Sequence, residues 1–159
     1  AISAWKPELP PTHPEQAEAW TWLGRTSHFL QDLSVPFHTR PLARLAQIRF
    51  HNKYERAAQT HFRRYLPTAN YDEYNVWEQD PYPSNQQWGV YFPQNMPVRD
   101  MMLEMRELSA PFYKMVAEGD DPNTHNWEKV RSVMIPLGAK ATSGLVVKFL
   151  NDVRVNPRS

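Results

Sequence analysis

The chain has 159 residues, 41% of them apolar, which suits one domain with a sizeable core. Eighteen basic residues against 17 acidic ones leave a formal charge of +1. That excludes bulk electrostatic binding of nucleic acid as the basis of function, though not a nucleic-acid substrate held by metal ions. With no cysteine there is neither a disulfide frame nor a thiolate metal site. No run of about 18 apolar residues occurs, so no transmembrane segment is expected. The chain starts at Ala1 without the basic-then-apolar pattern of a signal peptide and without an initiator Met, as a processed chain or a fragment of a longer one would.

Residues 1–13 contain Pro7, Pro10 and Pro11 and read as an extended arm. Thr12-His13-Pro14-Glu15 is a helix start, and the spacing predicts a helix from Pro14 to Leu33. Leu23, Thr26, Leu30 and Leu33 form its apolar side, with Trp22 and Phe29 at the margin. Thr21, Gly24, His28 and Asp32 line a different side, where Gly24 leaves room for a metal or a neighbouring backbone. Pro36 ends this helix, and Pro41 starts a short turn or helix through Ala46. The next helix runs from about Arg49 to Tyr65, with Tyr54, Ala58, Phe62 and Tyr65 as core candidates, and Pro67 closes it.

Residues 67–97 read as a long irregular loop, rich in proline and in Tyr and Trp. It suits an aromatic wall beside a cleft or packing over the bundle equally well. A helix then opens at Pro97 and runs to about Ala117, with Met101, Met105, Leu108, Phe112 and Met115 at core spacing and a kink at Pro111. Gly119 to Asn123 is a turn whose acids are cap residues rather than calcium ligands. The last helical stretch, Asn126 to Val153, is expected to break near Pro136-Leu137-Gly138, with Leu145, Val146, Phe149 and Leu150 packing its later half. The fold class is therefore all-α, a helical bundle in a single domain over 1–159.

Five metal-ligand side chains fall between positions 28 and 55: His28, Asp32, His38, His51 and Glu55. His28 and Asp32 are four apart, as are His51 and Glu55, so each pair shares one helix face. His38 follows a proline on the connection between them. Imidazole with carboxylate suits zinc better than magnesium or calcium, which favour all-oxygen shells. His38, His51 and Glu55 make three ligands with a fourth position open, the pattern of a catalytic site. His28 and Asp32 supply two and need completion. His13 is a further metal candidate and Lys53 a further phosphate candidate. His61 and His125 read as packing and helix-start residues, and Arg63 and Arg64 as a solvated helix face.

These segments carry a resemblance. Leu23-Gly24-Arg25-Thr26-Ser27-His28-Phe29-Leu30-Gln31-Asp32, Val35-Pro36-Phe37-His38 and Phe50-His51-Asn52-Lys53-Tyr54-Glu55 resemble the zinc-dependent phospholipase C family, whose superfamily includes single-strand-specific nucleases. The strong match covers about residues 20–56. The resemblance implies up to three zinc ions, with His38, His51 and Glu55 on one and His28 and Asp32 on the other two, Asp32 bridging. It implies a water-activated attack on a phosphodiester and a secreted protein. The family's remaining ligands and its general base lie upstream of this block and have no evident match here. The chain is therefore expected to be the C-terminal part of a larger fold, active only when an N-terminal polypeptide of the same precursor supplies the rest. The substrate expected is a phospholipid phosphodiester. The alternatives are a nuclease or nucleotidase acting on nucleic acid, and a metal-stabilised helical binding module without activity.

Overall fold

The computed structural model describes residues 1–41, 45–65, 96–120 and 125–153. Nearly all of the loop expected at 67–97, and most of the turn expected between Pro41 and Ala46, lie outside the described residues. Among the described residues the architecture is all-α, with no strand. The helices are α1 (Ala17–Asp32), α2 (Leu45–His61), α3 (Val98–Ser109), α4 (Tyr113–Ala117) and α5 (Asn126–Asp152).

The bundle is organised around α5. Trp127, Val130, Met134, Leu137, Ala141, Leu145 and Phe149 recur at steps of three and four and are all buried. The expected break at Pro136 is absent, and α5 runs through it for 27 residues. Proline in a helix interior removes one hydrogen bond and costs about 3 kcal/mol. Pro136 is itself fully buried, between Met134 and Leu137. Each fully buried apolar side chain contributes about 1.5–3 kcal/mol, so keeping seven of them in register outweighs one interruption. By length and composition α5 resembles a membrane span, but its most apolar window is half buried within the protein. It serves here as a core helix.

Helix α1 buries Ala19, Leu23 and Leu30 and packs chiefly on α5. Trp22 and Phe29 stay exposed, in keeping with their place at the margin of the apolar side. On α3, Met101, Met105 and Leu108 are buried. Pro111 sits in a 3-10 turn, Ala110–Phe112, which separates α3 from α4 where the sequence suggests a kink. Gly119 follows α4 at φ 91°, and a side chain there would meet the Phe50 ring. Asp120 caps α5, its Oδ1 accepting the Trp127 N–H at 3.2 Å.

The N-terminal segment is not an extended arm. Ile2–Ala4 forms a 3-10 turn, and Trp5 packs edge-on against Trp20 and Phe149 at centroid distances of 5.7 and 5.6 Å. Trp20 and Phe149 complete the triangle at 5.5 Å. The polar chain of the segment is held by Gln16, which is completely buried. Its Nε2 donates to the carbonyls of Lys6 (2.7 Å) and Leu9 (3.2 Å), and its Oε1 accepts the Lys6 N–H at 3.1 Å. A buried amide so satisfied costs little, and it clamps the segment to α1. The three prolines prevent a helix, while burial of Trp5 draws the segment onto the bundle.

Candidate metal centre

The site forms where α1 ends. Asp32 is the last residue of α1, and Ser34 folds back so that its Oγ donates to the Gln31 carbonyl at 2.6 Å. Val35 is extended (φ −92°, ψ 112°), as the residue before a proline must be. Pro36 then opens a 3-10 turn, Pro36–Thr39, closed by Thr39 Oγ1 donating to the Pro36 carbonyl at 2.7 Å. Phe37 points into the core, 1% exposed, so its neighbour His38 faces outward.

Opposite this turn, α2 presents His51 and Glu55 from successive turns of one face. His38 Nε2 lies 2.9 Å from His51 Nε2, which lies 2.9 Å from Glu55 Oε1. The third edge, His38 Nε2 to Glu55 Oε1, is 3.3 Å. Donors bonded to a tetrahedral cation at 2.0–2.1 Å stand about 3.3 Å apart. The observed triangle is therefore a slightly contracted tetrahedral face, and a metal ion fits it. Two imidazole nitrogens aimed at each other this closely repel unless a proton or a cation lies between them. The carboxylate at the third corner adds the negative charge that a cation needs. Among the described residues, His38, His51 and Glu55 are the group able to hold a metal ion.

His28 and Asp32 stand beside this group rather than in it. Asp32 Oδ2 is 3.6 Å from His28 Nε2, and Asp32 Oδ1 is 3.9 Å from Nδ1 of His38. Asp32 thus links the two predicted pairs through the far nitrogen of His38, and all five predicted side chains converge on one region. His28 is the outermost, 74% exposed, whereas His51 is 17% exposed.

The other candidates are not brought to the centre. His13 caps the turn at Pro14–Gln16, its Nδ1 accepting the Glu15 N–H at 3.3 Å. The whole of α1, about 24 Å long at 1.5 Å per residue, separates it from Asp32. Lys53 is exposed and lies two residues from both His51 and Glu55, hence about 200° around α2 from each. Gly24 provides no close approach either: a Cβ there would meet nothing within 4 Å among the described residues. Gly24→Ala is therefore expected to stabilise the protein by about 1 kcal/mol through helix propensity, raising Tm by about 2–4 °C with any metal affinity unchanged. A calorimetric melt with a parallel metal titration checks this, and a loss of metal binding relative to the unchanged chain would show that the space at Gly24 is used.

Beneath the ligands lies an aromatic shelf. Phe37 meets the His51 ring at 5.2 Å, Tyr54 at 5.9 Å and Tyr113 at 6.2 Å. Tyr54 stacks edge-on against Trp127 at 5.8 Å. Burial pushes the Tyr54 hydroxyl well above its usual pKa, opposed in part by Arg131, whose guanidinium lies 6.0 Å from the ring. Tyr54 therefore stays neutral at any working pH and acts as a wall, not a proton carrier. Arg131 itself is buried, and its Nε and Nη1 lack hydrogen-bond partners among the described residues. Sequence reading missed Arg131, because a lone arginine at a core-facing helical position gives no signal of its own. Phe37 entered the sequence reading only as part of the Val35-Pro36-Phe37-His38 segment, and its burial was not anticipated.

Next to the centre is an open cavity of about 500 Å³, lined by Thr26, Phe29, Asp32, Leu33, His38 and Met102. Its polar end is Asp32 and His38, and its body is apolar. No family model, no curated protein and no solved structure matches the chain.

Proposed function

We propose that this chain is the metal-binding part of a zinc-dependent phosphodiester hydrolase resembling phospholipase C. The observation that carries this reading is the triangle of His38 Nε2, His51 Nε2 and Glu55 Oε1, with edges of 2.9, 2.9 and 3.3 Å. Two imidazoles and one carboxylate are a donor set suited to zinc, and three protein ligands leave the fourth position free. A zinc ion held there would supply Lewis acidity and a bound water acidic enough to ionise near neutrality. The chain's own residues do the rest. His51 and Glu55 fix two corners from one rigid helix, and His38 closes the third from the proline turn. Asp32 places negative charge behind His38 Nδ1, where an outer carboxylate increases ligand basicity. Phe29, Leu33 and Met102 offer an apolar bed beside the reacting centre. That bed supports a phospholipid substrate over a nucleotide: among the described residues lining the cavity there is no Lys or Arg to meet a second phosphate, while Phe29, Leu33 and Met102 offer a surface for acyl or glycerol carbons.

Elemental analysis and paired assays test this reading. The dialysed protein is expected to retain zinc and, combined with the N-terminal polypeptide of the same precursor, to release phosphorylated headgroup from phosphatidylcholine micelles in a zinc-dependent manner lost in His38→Ala. Preferential turnover of single-stranded nucleic acid would transfer the assignment to the nuclease branch. Tight zinc retention with no turnover of either substrate would leave a metal-stabilised binding module, and absence of zinc would remove the centre altogether.

A further inference from the structure

The zinc reading leaves unexplained what holds the His38 turn in place, since that turn carries the one ligand not on a helix. Beside the burial of Phe37, part of the answer lies just ahead of the turn, at Ser34, where α1 ends. There the α5 backbone reaches the end of α1 with no gap: a Cβ added at Gly138 would stand 2.8 Å from Ser34 Oγ and 3.1 Å from Ser34 Cβ. Ser34 Oγ donates to the Gln31 carbonyl at 2.6 Å. Gln31 Nε2 donates to Thr142 Oγ1 at 3.1 Å, and Thr142 Oγ1 donates to the Gly138 carbonyl at 2.8 Å. Gly138, Ser34, Gln31 and Thr142 thus form a closed circuit between α1 and α5. Thr142 Oγ1 uses its one proton and one lone pair in it. Asp32 lies between two members of the circuit, next to Gln31 and two residues before Ser34, and only Val35, Pro36 and Phe37 separate Ser34 from His38. Those three are stiff: the Val35 N–H bonds the Asp32 carbonyl at 2.9 Å, Pro36 has a fixed φ, and Pro36 and Phe37 are buried.

We infer that Gly138 and Ser34 are positioning residues for the metal centre, setting where the α1 end and its proline turn place His38 and Asp32. This deepens the zinc reading and rests on it. The magnitudes agree. An alanine at position 138 must push Ser34 Oγ from 2.8 Å to an ordinary contact near 3.4 Å, about 0.6 Å, or rotate it off the Gln31 carbonyl and open the circuit, and Ser34 Cβ at 3.1 Å must give by about 0.3 Å in either case. A constellation of ligands tolerates about 0.5 Å before function is lost. The stiffness of Val35-Pro36-Phe37 passes most of such a shift on to His38.

The test is a double-mutant cycle on the full chain, read as zinc affinity by chelator competition and as the visible spectrum of the cobalt-substituted protein. Gly138→Ala is expected to weaken zinc about tenfold or more, as loss of an outer partner does, and to change the cobalt spectrum. In a Ser34→Gly background, which removes both atoms that the new methyl meets, the same substitution is expected to have no further effect. Leu145→Ala, two turns along α5 and 2% exposed, lowers Tm but leaves affinity and spectrum unchanged. If Gly138→Ala does not fold, Thr142→Val opens the circuit without changing shape and is expected to weaken zinc about fivefold. Unchanged affinity in Gly138→Ala and Thr142→Val, or equal loss in Leu145→Ala, overturns the proposal while leaving the zinc centre intact. A wild-type chain that binds no zinc removes the centre and this role together.

Discussion

His51→Ala is expected to lower zinc affinity by more than about 100-fold and to abolish any zinc-dependent turnover. His51 Nε2 is the corner shared by both 2.9 Å edges of the ligand triangle. Removing it leaves His38 and Glu55, 3.3 Å apart, as a two-point site open to water. Deleting even an outer partner of a metal ligand costs about 10–100-fold, so deleting a direct ligand costs more. Stability changes with it. A ligand present at about 1,000 times its Kd stabilises the fold by about 4 kcal/mol, or about 8–16 °C in Tm for a domain of this size. Chelation is therefore expected to lower the wild-type Tm by that order and to leave His51→Ala unmoved. His28→Ala provides the contrast: its ring is 74% exposed, stands 3.6 Å from Asp32 and outside the His38–His51–Glu55 triangle, so the first zinc is expected to stay and only a second to be lost. Isothermal titration with zinc, counting sites, separates the two variants. Equal affinity in His51→Ala and wild type would show that the three groups are an ordinary ion-pair cluster.

The grouping of His38, His51 and Glu55 was legible in the sequence because its parts are local. Four-residue spacing puts His51 and Glu55 on one face whatever they pack against, and Pro36 dictates the shape of the turn before His38. The all-α class followed from the same periodicity. What could not be read depended on partners far along the chain. Nothing near Pro136 announces that Met134, Leu137 and Ala141 are buried against other helices strongly enough to carry α5 through the proline. Trp5 gives no local reason for the N-terminal segment to fold back, since Trp20 and Phe149 are needed to receive it. Phe62 was grouped with Tyr54 as core, yet it is 40% exposed. Eight residues of α-helix already rotate it about 80° from Tyr54, and it lies beyond α2 in a 3-10 turn. The Gly138–Ser34 contact joins α5 to the residues just after α1, and a glycine two residues after a proline looked like a helix break when it is a crossing point.

Phe37→Ala is expected to be the most damaging substitution to the fold among those near the centre, costing about 3–5 kcal/mol. The ring is 1% exposed and touches three elements at once: Tyr54 and His51 on α2, Tyr113 on α4, and its own turn. No single neighbour can collapse into the space, because Tyr54 is also held by Trp127 and Tyr113 also lies under Arg40. The cavity therefore stays, which puts the cost at the upper part of the range for such truncations. A fall in Tm of about 6–20 °C follows. The metal centre is expected to fail with it, since His51 loses the ring that backs it and His38 loses the anchor of its turn. The sign of that coupling is measurable. In the wild type chelation is expected to lower Tm, whereas in Phe37→Ala the apo and zinc-loaded melts are expected to coincide. Phe37→Leu, which retains most of the volume, is expected to recover most of the stability and part of the zinc response. Phe29→Ala, at 63% exposure in the cavity wall, is expected to change Tm by no more than about 1–2 °C while weakening lipid turnover. A Phe37→Ala protein that melts like the wild type and still gains stability from zinc would mean that the aromatic shelf neither supports the bundle nor orients the ligands above it.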